Sequence, residues 1–369
     1  MYDRVAMQDA PEIGRTTDRL GIVLVAYDSA DSIEQLLAVL SEEKRAGDRI
    51  VLVDNHPAQT CARLAEGISA VDEVIRSENV GFGAACDKGA ARVEDEVDLL
   101  LFLNPDSLPE RGAITRLREG GREEWAAWMG LLLLPSGRIN CAGNTVHTSG
   151  LAWCTGYDED PADYRSERDV VALSGADMVV RSRVWKRLGG FAKGYFLYYE
   201  DIDLSFRLEQ MGYEIGVVWD AKVAHDYEFQ KSSQKWFYLE RNRYVFIART
   251  WPLGLLLTLL PLLLVTEIGL WLASLLQGRL LIRVRAVASF ARILPRVLRE
   301  RRGISKERTL TAYECLQMLE PRIDTPLLPG YSRSRVVTAV FVFYQKGAGF
   351  ILRAAERLCR RPPGPSRQS

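Results

Sequence analysis

Leu20-Gly21-Ile22-Val23-Leu24-Val25-Ala26 is apolar at every position, as a strand covered on both faces of a sheet requires. Asp31 to Leu40 follows with Ile33, Leu36, Leu37 and Leu40 at helical spacing, so the pair reads as a βα unit. Two more apolar runs end in acids. Arg49 to Val53 (RIVLV) leads into Asp54-Asn55, and Asp98 to Leu103 (DLLLFL) leads into Asn104-Pro105-Asp106. Alternating strands and helices predict an α/β domain over residues 19–248. Ligands of such sheets sit outside the carboxyl ends of the strands, which makes Asp54 and Asp106 the first places to look for a site.

The chain has 369 residues, enough for two or three domains, with 47% apolar and 26% charged residues, values of an ordinary globular protein. Lys plus Arg balances Asp plus Glu at 48 each, so no overall field draws the chain to nucleic acid, and none is expected as a partner. Six cysteines without a CxxC, and only three histidines, indicate neither a zinc site nor a disulfide framework and suit a reducing compartment. Residues 1–18 contain acids and no apolar core, so they read as a flexible tail and not as a signal peptide. Nothing in the sequence sets an oligomeric state.

The character changes after residue 248. Trp251 to Gln277 is almost wholly apolar, broken only by Glu267 and Pro261, and Arg279 to Arg302 then carries eight arginines against one acid, Glu300. A helix over the first of these segments would be about 40 Å long, enough to cross a bilayer core of roughly 30 Å. The basic flank belongs on the cytoplasmic side, and a single crossing would put the preceding domain outside. A re-entrant hairpin bent at Pro261, or a kinked helix lying in the interface, avoids this. Leu280, Val284, Val287, Ala291 and Leu294 recur at helical spacing beside arginines, an interfacial amphipathic pattern. Residues 249–303 are therefore expected to rest on the cytoplasmic face of a membrane, with packing on the catalytic domain or in an oligomer as the alternative. Residues 304–369 read as a helical region with a disordered tail.

Four constellations can carry chemistry. Asn79-Val80-Gly81-Phe82-Gly83 opens a small-residue helix, where glycines admit a phosphate or sugar to the backbone and a helix start offers free N–H groups; a packed turn reads equally well. A dinucleotide fingerprint is discounted, because its last glycine would fall at Cys86 and the stretch does not follow the first strand. Asp106 can bind a hard divalent cation, or can belong to a turn begun by Asn104-Pro105. Glu200, Asp201 and Asp203 follow four aromatic residues in Tyr195 to Leu208 (YFLYYEDIDLSFRL). Ring-walled carboxylates suit a general base, and acids at a helix start equally suit its dipole. His225 can complete a metal shell, and Arg241 and Arg243 can match the oxygens of a diphosphate; each signal is weak when taken singly.

Taken in order, VAYDSADSIEQLL, LVDN, NVGFGAACDKGA, LLFLNPDS, SGADMVVR, LGGF, YFLYYEDIDLSFRL and RNRYVF resemble the family 2 glycosyltransferases of GT-A fold, and among them the rhamnosyltransferase-like branch. The resemblance spans roughly residues 20–248 and implies a mixed, mainly parallel sheet that binds a nucleotide sugar. It also implies roles. Tyr27 and Asp54 match positions that hold the base and ribose, and Asn79, Gly81, Phe82 and Gly83 a loop beside the nucleoside and sugar. Asp106 is similar to the last acid of the DxD-like motif that binds a divalent metal, Mg²⁺ or Mn²⁺, and His225 to a downstream metal-shell histidine. Asp201, with Glu200 beside it, looks like the base that deprotonates the acceptor hydroxyl, and Arg241 and Arg243 fall near the diphosphate. The reaction implied is inverting transfer from a nucleoside diphosphate sugar to a cell-envelope glycan or polyprenyl-linked acceptor. His56-Pro57, Asp28, Asp87 and Ala192 depart from the family pattern and bear on base, sugar and acceptor selectivity. A sugar-1-phosphate nucleotidyltransferase would carry a glycine-rich basic loop after the first strand, where Tyr27-Asp28-Ser29-Ala30-Asp31 stands instead. A non-catalytic glycan- or lipid-binding protein of the same fold is the other alternative.

Overall fold

The structure is a computed structural model that describes residues 18–225, 233–326 and 334–359. The expected tails, residues 1–17 and 360–369, lie outside the described residues. The strands are β1 (Leu20–Ala26), β2 (Arg49–Asp54), β3 (Glu73–Arg76), β4 (Leu99–Leu103), β5 (Ser107–Pro109), β6 (Trp125–Leu133), β7 (Ile139–Cys141), β8 (Asn144–Val146), β9 (Ala152–Cys154), β10 (Arg168–Asp169), β11 (Asp177–Arg181) and β12 (Glu214–His225). The helices are α1 (Ala30–Glu43), α2 (Thr60–Ala65), α3 (Phe82–Ala90), α4 (Ala113–Glu119), α5 (Ser182–Leu188), α6 (Glu200–Gln210), α7 (Ser233–Thr250), α8 (Leu253–Leu276), α9 (Leu280–Glu307), α10 (Ala312–Gln317) and α11 (Arg335–Cys359).

The main sheet runs β10-β12-β6-β11-β4-β1-β2-β3. β1 pairs in parallel with β2 and β4, Ile22 standing between Ile50 and Leu101. β11 enters antiparallel between β4 and β6, so the sheet is mixed, as expected. α3 can lie close on β1 and β2 because its inner face is small. A Cβ on Gly89 would stand 2.4 Å from Val23 Cγ1, closer than carbon atoms approach. The short β5 pairs with the far end of β12, Ser107 opposite His225, and that pairing brings the carboxyl end of β4 to the end of the chain's last strand.

A second apolar core continues past residue 248. Tyr199, Ile202, Phe206, Phe246 and Trp251 pack with Leu255, Leu259, Leu262, Val297, Leu316 and Leu352, so the helices after α7 are joined to the α/β region by buried apolar surface. One local expectation changes. α8 is one uninterrupted helix with Pro261 inside it and exposed, not a hairpin bent there; on the exposed side the missing N–H leaves a carbonyl that solvent or headgroups can satisfy. The buried residues of α9 are Arg283, Ala286 and Val297, and Val284 and Ala291 of the stripe expected to face a membrane interface are exposed. On the packed side Arg283 turns inward to Glu240 of α7 and Glu267 of α8, at 2.8 and 2.9 Å.

Candidate active site

Glu200 and Asp201 open α6 behind two residues held at positive φ, Tyr198 at 69° and Tyr199 at 73°. Such a backbone is costly for bulky residues and persists only where its surroundings impose it. Here Asn242 of α7 does so, its Nδ2 donating to the carbonyls of both Leu197 and Tyr198 at 2.8 and 2.7 Å. Tyr199 is anchored from the other side, its hydroxyl donating to the Gly150 carbonyl at 3.0 Å.

The acids that follow diverge. Asp203 points into the core, where Arg207, Arg249 and the Tyr195 hydroxyl converge on it. Burial raises its pKa, yet the two guanidinium groups hold it below the ordinary carboxylate range. It braces the helix. Asp201 accepts from Gly175 N at 3.0 Å and from Ile202 N at 2.8 Å. Glu200 is 5% exposed, and burial together with the neighbouring Asp201 charge pushes its carboxyl up to about 8. Burial raises Asp201 as well, while its backbone N–H partners favour the charged form. The first negative charge of the pair therefore settles on Asp201, and Glu200 keeps its proton at neutral pH.

Asp106 and His225 meet through the β5–β12 pairing, Oδ1 to Nε2 at 3.5 Å, although they are far apart in sequence. The His225 Nδ1 lies 3.5 Å from Asn140 Oδ1. Among the described residues no group of three or more His, Cys, Asp or Glu side chains is assembled. One carboxylate and one imidazole fit a cation that takes its remaining ligands from phosphate oxygens and water, as Mg²⁺ does at nucleotide sites. The turn Ser174–Ala176 joins the two halves of the site: Gly175 N donates to Asp201, and the Ala176 carbonyl accepts from Asn104 N at 3.0 Å.

Phe82 completes this floor. A Cβ on Gly175 would lie 3.1 Å from the Phe82 ring and 3.6 Å from Asp201 Cβ. Gly81, at φ +88°, is pressed on the Phe196 carbonyl, and Gly83 on Phe191. Asn79 Oδ1 accepts from Gly81 N and Asn55 Nδ2, both at 3.2 Å, which fixes the loop to the end of β2. Tyr27 is 52% exposed beyond β1, with His56 edge-on to it at 4.9 Å. Asp54 is buried, and its carboxylate accepts from His56 N and from Ala62 N in the first turn of α2.

The two arginines separate. Arg241 stays beside the loop before Glu200, donating to the Gly194 carbonyl at 3.1 Å. Arg243 is 1% exposed and is bound to Glu267 and to the Ser149 carbonyl. It belongs to the ion-pair network that joins α7 to α8 and α9, because the helical turn carries the second arginine of RNR away from the first. Sequence reasoning passed over Asn242, between these arginines, and Gly175. A polar residue inside a helix and a glycine before a strand were the signals available.

Residues 21–128 match the family model described as Glycosyl transferase family 2. The chain is 27% identical over 236 residues to the N-acetylglucosaminyl-diphospho-decaprenol L-rhamnosyltransferase of Mycobacterium tuberculosis, covering 57% of this chain and 76% of that protein. It is 25% identical over 211 residues to the Rhamnosyltransferase WbbL of Escherichia coli, covering 53% and 79%. Among solved structures, that of GalNAc-T7 with UDP, GalNAc and Mn²⁺ is similar with a TM-score of 0.51 at 18% identity, covering 64% of this chain. This chain spans about half of that structure's length, 48%. The fold is similar to that of GalNAc-T7, and the region that matches the Glycosyl transferase family 2 model carries Tyr27, Asp54, the Asn79–Gly83 loop and Asp106.

Proposed function

We propose that this chain, a family 2, rhamnosyltransferase-like glycosyltransferase with a nucleoside diphosphate sugar as donor, moves its sugar in one inverting displacement onto a hydroxyl of a polyprenyl-linked or cell-envelope glycan. Rhamnose is the sugar suggested by the two relatives, both rhamnosyltransferases. The observation that carries the reading is the Ser174–Ala176 turn, which binds Asp201 through Gly175 N and Asn104 through the Ala176 carbonyl, two residues before Asp106 of the Asp106–His225 pair. A displacement needs a base at the acceptor and charge neutralisation at the leaving diphosphate, on opposite faces of the sugar.

Asp201 takes the proton of the acceptor hydroxyl. Glu200, protonated beside it, keeps a second negative charge out of the pocket. Asp106 and His225 would hold a divalent cation, which would offset the charge of the diphosphate. The Asn79–Gly83 loop and Tyr27 seat the nucleoside, and Arg241 flanks the loop that carries the acids. The enzyme rests on the cytoplasmic face of a membrane. Support for this comes from α8 and α11, two helices long and apolar enough to cross a bilayer, whose exposed residues Leu257, Leu264, Ile268, Val336, Val340 and Phe343 offer apolar surface.

The test is nucleotide release from a panel of nucleotide sugars with Mn²⁺ or Mg²⁺, together with calorimetry of nucleoside diphosphate binding. Release is expected from one donor class, and Asp106→Ala is expected to abolish the metal-dependent part of binding. No release from any donor overturns the reading, and unchanged binding in Asp106→Ala removes that residue from the site.

A further inference from the structure

Between α8, α9 and α11 lies a cavity of about 400 Å³ that the catalytic constellation does not use. Its walls are chiefly apolar, with Leu262, Val265 and Gly269 of α8 facing Val340 and Phe341 of α11. At one end Arg279 holds its guanidinium 3.9 Å over the Trp236 ring. Arg283, also in the wall, has its charge met by Glu240 and Glu267, whereas no ion pair engages Arg279 among the described residues. The cavity is also close to the chemistry. Ser149 and Leu151 line it, and Gly150 between them accepts the hydroxyl of Tyr199, two residues before Asp201. Lys235, next to Trp236 in α7, stands 5.4 Å over the Tyr198 ring.

We infer that this cavity binds the first isoprene units of a polyprenyl diphosphate acceptor, with Arg279 at the diphosphate. The assignment rests on the lipid-linked acceptor proposed above. A long flexible chain bearing an anionic head matches an apolar slot with a cation in its wall that no ion pair engages among the described residues. The slot is continuous with the exposed apolar surface of α8, where Val265 is both a wall residue and 65% exposed. The rest of the chain can therefore remain in a bilayer while the head lies at the end of the cavity lined by Ser149 and Leu151, on the side of Tyr199.

Purified full-length protein, without donor or metal, is titrated with geranylgeranyl diphosphate and with dimethylallyl diphosphate while tryptophan fluorescence is followed. The longer compound is expected to bind at least about tenfold more tightly, since each buried methylene adds affinity. Gly269→Phe, whose side chain would grow into open space, is expected to erase that preference, and Arg279→Ala to weaken both compounds. Equal binding of the two by the unaltered protein, or an undiminished preference in Gly269→Phe, overturns the proposal. So does loss of binding in the presence of phosphatidylglycerol vesicles, which would assign the cavity to bilayer lipid. A diazirine derivative of geranylgeranyl diphosphate should label residues 262–273 and 336–341 of the unaltered protein, and labelling confined to other segments refutes the site whatever the variants do. Because no donor is present, failure of the transferase reading would appear only in the nucleotide-release assay, and failure of the cavity assignment only here.

Discussion

Glu200 and Asp201 are adjacent carboxyls with opposite proposed tasks, and their surroundings differ accordingly. Two backbone N–H groups point at Asp201, while burial raises Glu200 to about 8. Asp201→Asn is therefore expected to bind donor normally and lose about 10² to 10⁴ in turnover. Glu200→Gln, which keeps the neutral shape, should retain most of its rate; measured transfer rates of the two variants check the assignment, and the reverse ranking would exchange the roles. The same group makes a stability prediction. A glutamate that titrates near about 4.3 when unfolded and higher when folded contributes stability fully at low pH and loses it as pH rises toward the folded value. The advantage of Glu200→Gln over the parent in melting temperature should thus be small at pH 5 and grow to several degrees at pH 8. A constant difference across that range would show that Glu200 ionises freely.

At the scale of elements, the site depends on loops that press on one another. The Asn79–Gly83 loop touches the loop before α6 where Gly81 meets Phe196: a Cβ at Gly81 would stand 2.3 Å from that carbonyl, at φ +88°. Gly81→Ala must displace backbone, so it is expected to cost about 1–3 kcal/mol and to raise the donor KM. Gly189→Ala is the control. Its φ is also positive, at +68°, but no atom lies within 4 Å of the added methyl, so it should carry the strain alone and leave KM unchanged. Thermal melts and donor titrations separate the two. α7 acts on the same loop from outside: Tyr238 stacks on Phe196 with centroids 5.1 Å apart, and Asn242 holds the two strained residues.

For the whole molecule, the second apolar core decides how the C-terminal helices relate to the catalytic region. α8 buries Leu255, Leu259, Leu262 and Leu263 against it and leaves Leu257, Leu260, Leu264 and Ile268 exposed. A helix so divided can lie along a bilayer surface while staying attached to the domain, whereas a crossing helix would need lipid around it. In sealed vesicles, cysteines introduced at Ser136 and Ser305, both exposed, should react with an impermeant maleimide from the same side. Labelling from opposite sides would reject the monotopic arrangement, and full solubility without detergent would reject membrane attachment.

The α/β class, the strand ends that carry Asp54 and Asp106, the start of α3 and the acids of α6 were legible in the sequence. Each is written in local periodicity or in a strand-end acid, and the first βα unit alone shows the pattern. The ordered motifs added the family, because such residues recur in that order for one chemistry. Tertiary structure decided what depends on long-range pairing. It joined Asp106 to His225 through β5 and β12, and it turned Arg243 and Arg283 inward to the half-buried carboxylates of Glu267 and Glu240. It also assigned Asp203 to Arg207 and Arg249, leaving Asp201 to Gly175. A helix start shows which acids are present; only the packed neighbours determine which of them is neutralised and which remains available to accept a proton.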